Sequence, residues 1–211
     1  MKNPDSLYEA ILKGNLIGAV ESTREAISKG KEPQLIIDDY MSKAMEEIGR
    51  RFEEGKAFVP EILMSARAMK GALDQLKPIM AKDRTSHIGT VVIGTVKGDL
   101  HDIGKNLVAS MLEGCGFEVI NLGVDISSEK FIISIKEHNA NILCLSALLT
   151  TTMEYMKDVI QTLEKEGIRN QVKVMVGGAP INSDFADKIH ADGYSSNANA
   201  AVTLAKRLMS C

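Results

Sequence analysis

The sequence lacks the features that assign a protein to the membrane, secreted or nucleic-acid-binding classes. No apolar run approaches the roughly 18 residues of a membrane span, and the opening stretch MKNPDSLYEAILKGN contains no apolar leader core. The net charge of −3 gives no electrostatic reason to expect contact with nucleic acid or an anionic lipid surface. We therefore expect a cytoplasmic protein that binds neither membrane nor nucleic acid.

Cysteine is also scarce. Cys115, Cys144 and Cys211 are an odd number without CxxC spacing, and the first two lie in apolar runs. Such cysteines are typical of buried, reduced thiols in a protein without disulfides.

What the sequence does contain is an ordinary globular composition in two differently patterned halves. The chain has 211 residues, 45% apolar and 25% charged, enough for one large or two small domains. Over residues 1–86 apolar residues recur every three or four positions, which predicts a four-helix domain. The predicted helices are Asp5–Lys13, Asn15–Lys29, Pro33–Glu54 and Pro60–Met80.

A polar stretch without periodicity, AKDRTSH at 81–87, is predicted to be a linker. Beyond it, short apolar runs at 88–96, 117–123, 141–148 and 172–178 alternate with helical segments. With a short fifth strand near ADGYSS, this alternation predicts an α/β domain at 87–211 with a Rossmann-like (flavodoxin-like) five-stranded parallel sheet.

The loop after the first predicted strand, GTVKGDLHDIGKN at 94–106, concentrates polar and glycine residues where ligands of open α/β sheets bind. A phosphate loop is disfavoured because Asn106 stands where Ser or Thr should follow Gly-Lys, and Asp99 and Asp102 would repel phosphate. A zinc or iron site is disfavoured because the other histidines, His87, His138 and His190, lie on the linker or distant helices.

A third interpretation takes His101 as the single protein ligand of a metal whose remaining positions a macrocycle fills. A carboxylate two residues away, Asp99, can accept the other ring N–H, which fixes the tautomer and raises the basicity of the ligand. The competing structural interpretation is an exposed histidine in a helix-capping loop, with Asp102 as the N-cap.

Two later strand ends favour the macrocycle. Ser146-Ala147-Leu148 ends the third predicted strand, and Gly177-Gly178 ends the fourth. Together with Asp99-Leu100-His101-Asp102-Ile103-Gly104, they resemble in order and spacing the DxHxxG, SxL and GG signature of cobalamin-binding proteins. The resemblance covers essentially the whole chain and is nearest to corrinoid proteins of one-carbon methyltransferase systems (methanol, methylamine, betaine or aryl methyl ether type), with the B12-binding module of methionine synthase also similar.

The resemblance implies a cobalamin or related corrinoid bound base-off and His-on. It implies that His101 is the axial ligand of the cobalt and that Asp99 and Thr152 form a relay behind it, through which the freed imidazole takes up a proton. It also implies contacts with the corrinoid or its nucleotide tail, in which the two glycines leave a slot open. These contact residues are Gly98, Leu100, Asp102, Ile103, Gly104, Ser146, Leu148, Thr150, Gly177, Gly178 and Ala198.

By the same resemblance the four-helix domain is a cap over the upper face of the cofactor, contributed partly by Phe58. Phe58 and Leu63 also occupy the two positions of a hydrophobic staple around Pro60, and Met64 is typical of a helical core. The cap has to swing aside during turnover, with the linker at 81–87 as its hinge.

The function implied is a methyl carrier that cycles between cob(I)alamin and methylcob(III)alamin and does not complete a reaction alone. Its implied partners are a substrate-specific TIM-barrel methyltransferase, a methylcorrinoid:acceptor methyltransferase that uses tetrahydrofolate or a thiol, and a reductive activase. Two alternatives share the signature. The small subunit of a mutase has no use for a helical cap, and a B12-dependent sensor carries a tryptophan motif, whereas this sequence has no tryptophan.

Overall fold

The computed structural model describes residues 5–80 and 88–210. The predicted linker and hinge at 81–87 and the thiol of Cys211 lie outside this range. The described residues fall into two compact units: residues before 88 together with Ser110–Gly116, and Ile88–Ala109 together with Phe117 onward. No helix in 5–80 or 88–210 combines the length and apolar character needed to cross a membrane.

The helical unit contains the four predicted helical regions with small shifts at their ends. The helices are α1 (Asp5–Leu12), α2 (Leu16–Ser28), α3 (Pro33–Ile36), α4 (Lys43–Glu53) and α5 (Val59–Met80). Asn15 is the N-cap of α2, where its side chain accepts a hydrogen bond from the backbone N–H of Gly18. Pro33 opens α3, as the sequence predicts, and Gly14, Gly30 and Gly55 adopt positive φ at helix ends.

The third helical region differs from the prediction of one continuous α-helix. Ile37–Ser42, between α3 and α4, is a π-helix. The reason lies in the spacing of the buried residues, because Ile36 and Met41, five positions apart, are both fully buried, whereas Ile37 is only half-buried. A π-turn with its i→i+5 bonds brings residues five apart onto one face, and Met45 and Ile48 continue that face at α-helical spacing.

The second unit is a five-stranded, all-parallel sheet with strand order β2-β1-β3-β4-β5. The strands are β1 (Thr90–Thr95), β2 (Glu118–Asn121), β3 (Ile142–Ser146), β4 (Lys173–Gly177) and β5 (Gly193–Tyr194). This is the flavodoxin-like order, in which the chain reverses direction along the sheet between β1 and β3. The Rossmann-like fold class predicted from the sequence is confirmed.

Helices connect the strands and cover the sheet. They are α6 (Ile103–Gly114), α7 (Ser128–His138), α8 (Glu154–Lys165), α9 (Ser183–Lys188) and α10 (Ala198–Met209), with a 3-10 turn at Arg169–Gln171. Every residue of β1 is buried, as expected for a central parallel strand with helices on both faces. Cys115 and Cys144 are buried thiols that form no disulfide, and burial raises the pKa of the Cys144 thiol to about 12.

Candidate functional site

The loops that carry the three sequence motifs meet at the carboxyl edge of the sheet. Thr95 of β1 is paired with Ser146 of β3, and Ser146 is paired in turn with Gly177 of β4. The last residues of these three strands therefore lie side by side, and the loops after β1 and β3 flank the point where the strand order reverses. This is the place where ligands of doubly wound sheets bind.

Asp99 is the structural centre of this edge. Its side chain is fully buried and accepts five hydrogen bonds. Oδ1 accepts from the backbone N–H of His101 at 3.0 Å and from His101 Nδ1 at 2.7 Å. Oδ2 accepts from the N–H groups of Leu148 at 2.7 Å and Leu149 at 3.2 Å, and from Thr152 Oγ1 at 2.8 Å. One buried carboxylate thus joins the loop after β1 to the loop after β3.

The Asp99 carboxyl is held in its ionised form. Burial by itself raises the pKa of this carboxyl, but the hydrogen bonds from Leu148, His101 and Thr152 outweigh burial and hold the pKa well below its ordinary value. At neutral pH Asp99 is therefore an acceptor without a proton to give. A carboxylate in this state can hold the imidazole in one orientation, and the proton relay implied by the family resemblance stays a prediction.

Replacing Asp99 with asparagine is expected to cost the apoprotein about 2–3 kcal/mol at neutral pH, because an amide NH₂ would face backbone donors in a buried site. The folded-state pKa is lowered, so the carboxylate contributes stability that is fully present above about pH 4 and is lost as the pH falls further. The gap in unfolding free energy between wild type and Asp99→Asn should narrow in acid. Urea denaturation across that range measures it, with exposed Asp187→Asn as control, and a gap independent of pH would contradict the prediction.

His101 is fixed through its main chain and its ring. Its carbonyl oxygen accepts a hydrogen bond from Thr95 Oγ1 at 3.0 Å, and Thr95 is fully buried. Because Nδ1 donates to Asp99, the ring nitrogen left to bind a metal is Nε2. The side chain retains 50% of its exposure, so that a ligand can reach it.

The surface around His101 is apolar and open. Leu100 is 71% exposed and Ile103 84%, and Leu148 and Leu149 are also exposed. A Cβ at Gly104 would meet nothing within 4 Å, which leaves free space beside the start of α6. Exposed leucine and isoleucine side chains around one polar nitrogen form a surface that a large, partly apolar ligand would cover.

The other predicted contact residues lie along the same edge. Ser146 and Gly177 are half-buried, Ala198 is buried at the start of α10, and Thr150 is exposed. The two glycines of the predicted slot have different steric surroundings. A Cβ at Gly177 would make only ordinary contacts, whereas a Cβ at Gly178 would come within 1.8 Å of the Ala147 carbonyl oxygen. Gly178 is thus required by the close approach of the protein's own main chain.

Asp102 and Phe58, which are also predicted to contact the corrinoid, lie in two different parts of the structure. Asp102 precedes α6 and accepts a hydrogen bond from the Asn106 side chain at 2.8 Å.

Phe58 lies in the helical unit and its side chain is 68% exposed. Its backbone N–H donates to Glu61 Oε2 at 2.8 Å, as in a capping box. Leu63 and Met64 are also exposed, so Met64 is not the core residue that its type suggests. The cap role of Phe58 stays a prediction.

A polar network at the start of α6 was not predicted. Lys105 is 3% exposed, and its ammonium group donates to Asn106 Oδ1 and Asn121 Oδ1, both at 2.7 Å. Asn121 also donates to Asn106. Burial lowers the pKa of Lys105, against the opposing effect of the Asp102 charge. The network ties the first turn of α6 to the end of β2, and Lys105 and Asn106 fit the helical pattern too well to stand out in the sequence.

Substituting Thr152 tests the contacts of its hydroxyl, which lies 2.8 Å from Asp99 Oδ2 and 2.8 Å from the Leu149 carbonyl oxygen. Thr152 is buried, and Thr152→Val removes its hydroxyl with little change in shape, so we expect a loss of about 1.5–3 kcal/mol in the unfolding free energy. Thr152→Ser keeps the hydroxyl and should lose only about 0.8 kcal/mol for the missing methyl. Chemical denaturation of the apoprotein measures both. Equal stabilities of the valine and serine variants would contradict a stabilising role for the Thr152 hydroxyl.

The donor set decides between the kinds of site considered from the sequence. Within 5–80 and 88–210 no three His, Cys, Asp or Glu side chains are grouped to hold a metal ion. Asp99 and Asp102 lie within the stretch that was compared with a phosphate loop, where their charges would repel phosphate. One half-exposed imidazole oriented by a carboxylate, set among exposed apolar side chains, fits a metal that is already held by a macrocycle. Fold and site together define a corrinoid-binding protein.

Comparisons with known proteins agree with this class. The B12 binding domain family matches residues 89–203, and a second B12 binding domain family matches residues 5–77. The chain is 45% identical to dimethylamine corrinoid protein 2 of Methanosarcina acetivorans, over 93% of this chain and 90% of that protein. The chain therefore belongs to the B12-binding corrinoid proteins, and it binds a corrinoid.

Solved structures show the same fold over nearly the full length. A cobalamin-binding protein from Desulfitobacterium hafniense matches with a TM-score of 0.82 at 31% identity and covers 99% of both chains. A chain of the methanol:cobalamin methyltransferase complex of Methanosarcina barkeri also matches with a TM-score of 0.82, at 32% identity over 98% of this chain and 79% of that one.

Proposed function

We propose that this chain is the methyl-carrying corrinoid protein of a methylamine methyltransferase system, with His101 as the protein ligand of its cobalt. The observation that carries the proposal is the pairing of His101 Nδ1 with the buried Asp99 carboxylate at 2.7 Å, beside an exposed apolar surface. When bound, the corrinoid supplies a cobalt that can accept a methyl group and release it.

The residues of the chain have separate tasks in this proposal. Asp99 keeps the proton of the imidazole on Nδ1, so that Nε2 presents a lone pair. Thr152 and the Leu148 and Leu149 N–H groups keep Asp99 ionised and immobile. The side chains of Leu100, Ile103 and Leu148 cover apolar parts of the corrinoid and keep water from the metal ligand. Gly98, Asp102, Gly104, Ser146, Thr150, Gly177, Gly178 and Ala198 are proposed to line the rest of the corrinoid and tail site.

The methyl donor and the partners are inferred from relatives. The matched relative is named for dimethylamine, and the matched methanol protein is part of a complex with its methyltransferase. We therefore expect a methyltransferase that delivers methyl groups from dimethylamine, a second that transfers them to an acceptor, and a reductive activase. The boundary between a four-helix domain at 1–86 and a corrinoid domain at 87–211 also stays a prediction.

The direct test is methylation of the reconstituted protein. The chain is loaded with reduced cobalamin and mixed with a dimethylamine methyltransferase and its donor, and the absorption spectrum is followed as the methyl group is transferred. Parallel reactions use trimethylamine and methanol with their own methyltransferases, and one reaction omits the methyltransferase. Methylation by dimethylamine ahead of the other donors supports the proposal, whereas no methylation by any pair would overturn it.

A further inference from the structure

We infer that Asp125, in the turn after β2, is a positioning residue for the metal-binding histidine. It is outside the three motifs, and its side chain is exposed. It contacts the loop that carries Asp99 and His101 through both its side chain and its main chain. The inference rests on the proposed function insofar as His101 is taken as the cobalt ligand.

Two hydrogen bonds join Asp125 to consecutive residues of the ligand loop. Its Oδ1 accepts from the backbone N–H of Gly98 at 2.7 Å, and its own N–H donates to the carbonyl oxygen of Asp99 at 3.1 Å. A bond from an N–H group to a carboxylate is charge-assisted, and such bonds are among the stronger ones in proteins. Asp125 therefore holds the main chain of Asp99 from the side opposite to β3.

The backbone of Asp125 adopts a conformation that suits this double contact. Its φ is +54°, in the left-handed region that non-glycine residues other than Asn and Asp seldom occupy. Such a conformation persists where surrounding contacts determine it, and these residues gather at functional sites. The next residue, Ile126, donates to Thr95 and forms a parallel bridge with Val96, so the turn is fixed against the end of β1.

The contacts lead from Asp125 to the imidazole in two steps. Asp125 fixes the Gly98 N–H and the Asp99 carbonyl, and the Asp99 carboxylate accepts the hydrogen bond from His101 Nδ1. Loss of the Asp125 acceptor would free the Gly98 end of the loop while the contacts of Asp99 to β3 remain. We therefore expect the imidazole to sample a wider range of orientations while the sheet stays folded.

Three substitutions separate the acceptor from the backbone conformation. Asp125→Asn keeps an Oδ1 acceptor and tolerates positive φ. Asp125→Ala removes the acceptor, and Asp125→Gly removes the acceptor while relieving the backbone conformation. Asp187→Ala, at an exposed aspartate in α9, is the matched surface control.

Amide hydrogen exchange of Gly98 and Asp99 in the apoprotein is the first measurement. We expect exchange to be faster by about tenfold in the alanine and glycine variants, the size of one lost hydrogen bond to a charged group, and only slightly faster than wild type in the asparagine variant, which keeps the acceptor without its charge. The second measurement is the absorption spectrum of bound cobalamin, which reports the fraction with the protein histidine coordinated. This fraction should fall in the alanine and glycine variants and recover in the asparagine variant.

The outcomes are distinguishable. Wild-type exchange and coordination in Asp125→Ala and Asp125→Gly would overturn the inference, as would faster exchange with unchanged coordination or an asparagine variant that behaves like alanine. A fall in the thermal midpoint equal in all three variants would indicate a purely structural turn and also overturn it. If His101→Ala left the cobalamin spectrum unchanged, the proposed function would fail, and hydrogen exchange would still test the contact itself.

Discussion

His101→Ala is expected to leave cobalamin bound but to abolish the spectrum of the histidine-coordinated form. The imidazole supplies one metal bond, whereas the exposed apolar surface of Leu100, Ile103 and Leu148 and the glycine-rich edge remain. We therefore expect the bound cofactor to change from nearly complete histidine coordination to none, with a smaller loss of affinity. Absorption spectra of the purified, reconstituted variant measure this change.

Adding free imidazole tests whether the spectral change comes from the loss of the metal-binding nitrogen alone. Added to His101→Ala, it should restore a nitrogen-coordinated spectrum, because removal of the side chain leaves room beside the Asp99 carboxylate. His138→Ala, at an exposed histidine in the last turn of α7, is the matched control and should keep the wild-type spectrum. A wild-type spectrum in His101→Ala would show that another group binds the metal.

Gly178→Ala is expected to lower the unfolding free energy by about 3–5 kcal/mol, among the largest effects of a single substitution. Gly178 has a φ of +134°, and an added Cβ would lie 1.8 Å from the Ala147 carbonyl oxygen. The clash pushes on the main chain just before Leu148 and Leu149, whose N–H groups bind Asp99. Corrinoid binding should therefore be lost along with stability.

A substitution at a second glycine separates the stability lost to the steric clash from the stability lost to the unfavourable backbone conformation. Gly123 has a φ of +91°, but a Cβ there would meet nothing within 4 Å. Gly123→Ala should therefore lose only the conformational part, about 1–3 kcal/mol, and should keep histidine coordination. Urea denaturation of both apoproteins and cobalamin titration test the pair. Equal losses in the two variants would contradict a steric role for Gly178.

The fold was largely predictable because its signals are local. Apolar periodicity marked the four helical regions of the first unit, and short apolar runs marked four of the five strands, whereas the fifth was placed near ADGYSS without such a run. The π-helix at Ile37–Ser42 was missed, since the five-residue step between Ile36 and Met41 has meaning only when both are known to be buried. The strand order agrees with that of a doubly wound fold.

The candidate site was predictable only in part. Asp99 and His101 are two residues apart, so their pairing follows from local spacing. The remaining contacts come from distant segments: Thr95 holds the His101 carbonyl, the Leu148 and Leu149 N–H groups hold Asp99, and Asp125 holds Gly98. Backbone donors such as the Leu149 N–H leave no trace in residue identity, and the Thr95 and Asp125 side chains lie outside the three motifs.

The sequence by itself determined the fold class, the strand ends that carry the motifs, and the histidine with its carboxylate, because each depends on neighbouring residues or regular spacing. Only the tertiary structure decided why Asp99 stays ionised and why Gly178 must be glycine. Both depend on main-chain atoms of the loop after β3, which the sheet brings against the ends of β1 and β4. Leu148 and Leu149, whose N–H groups bind Asp99, follow it by 49 and 50 residues in the sequence. The Asp99 carboxylate accepts its hydrogen bonds where the pairing of parallel strands places these N–H groups, and that placement exists only in the assembled sheet.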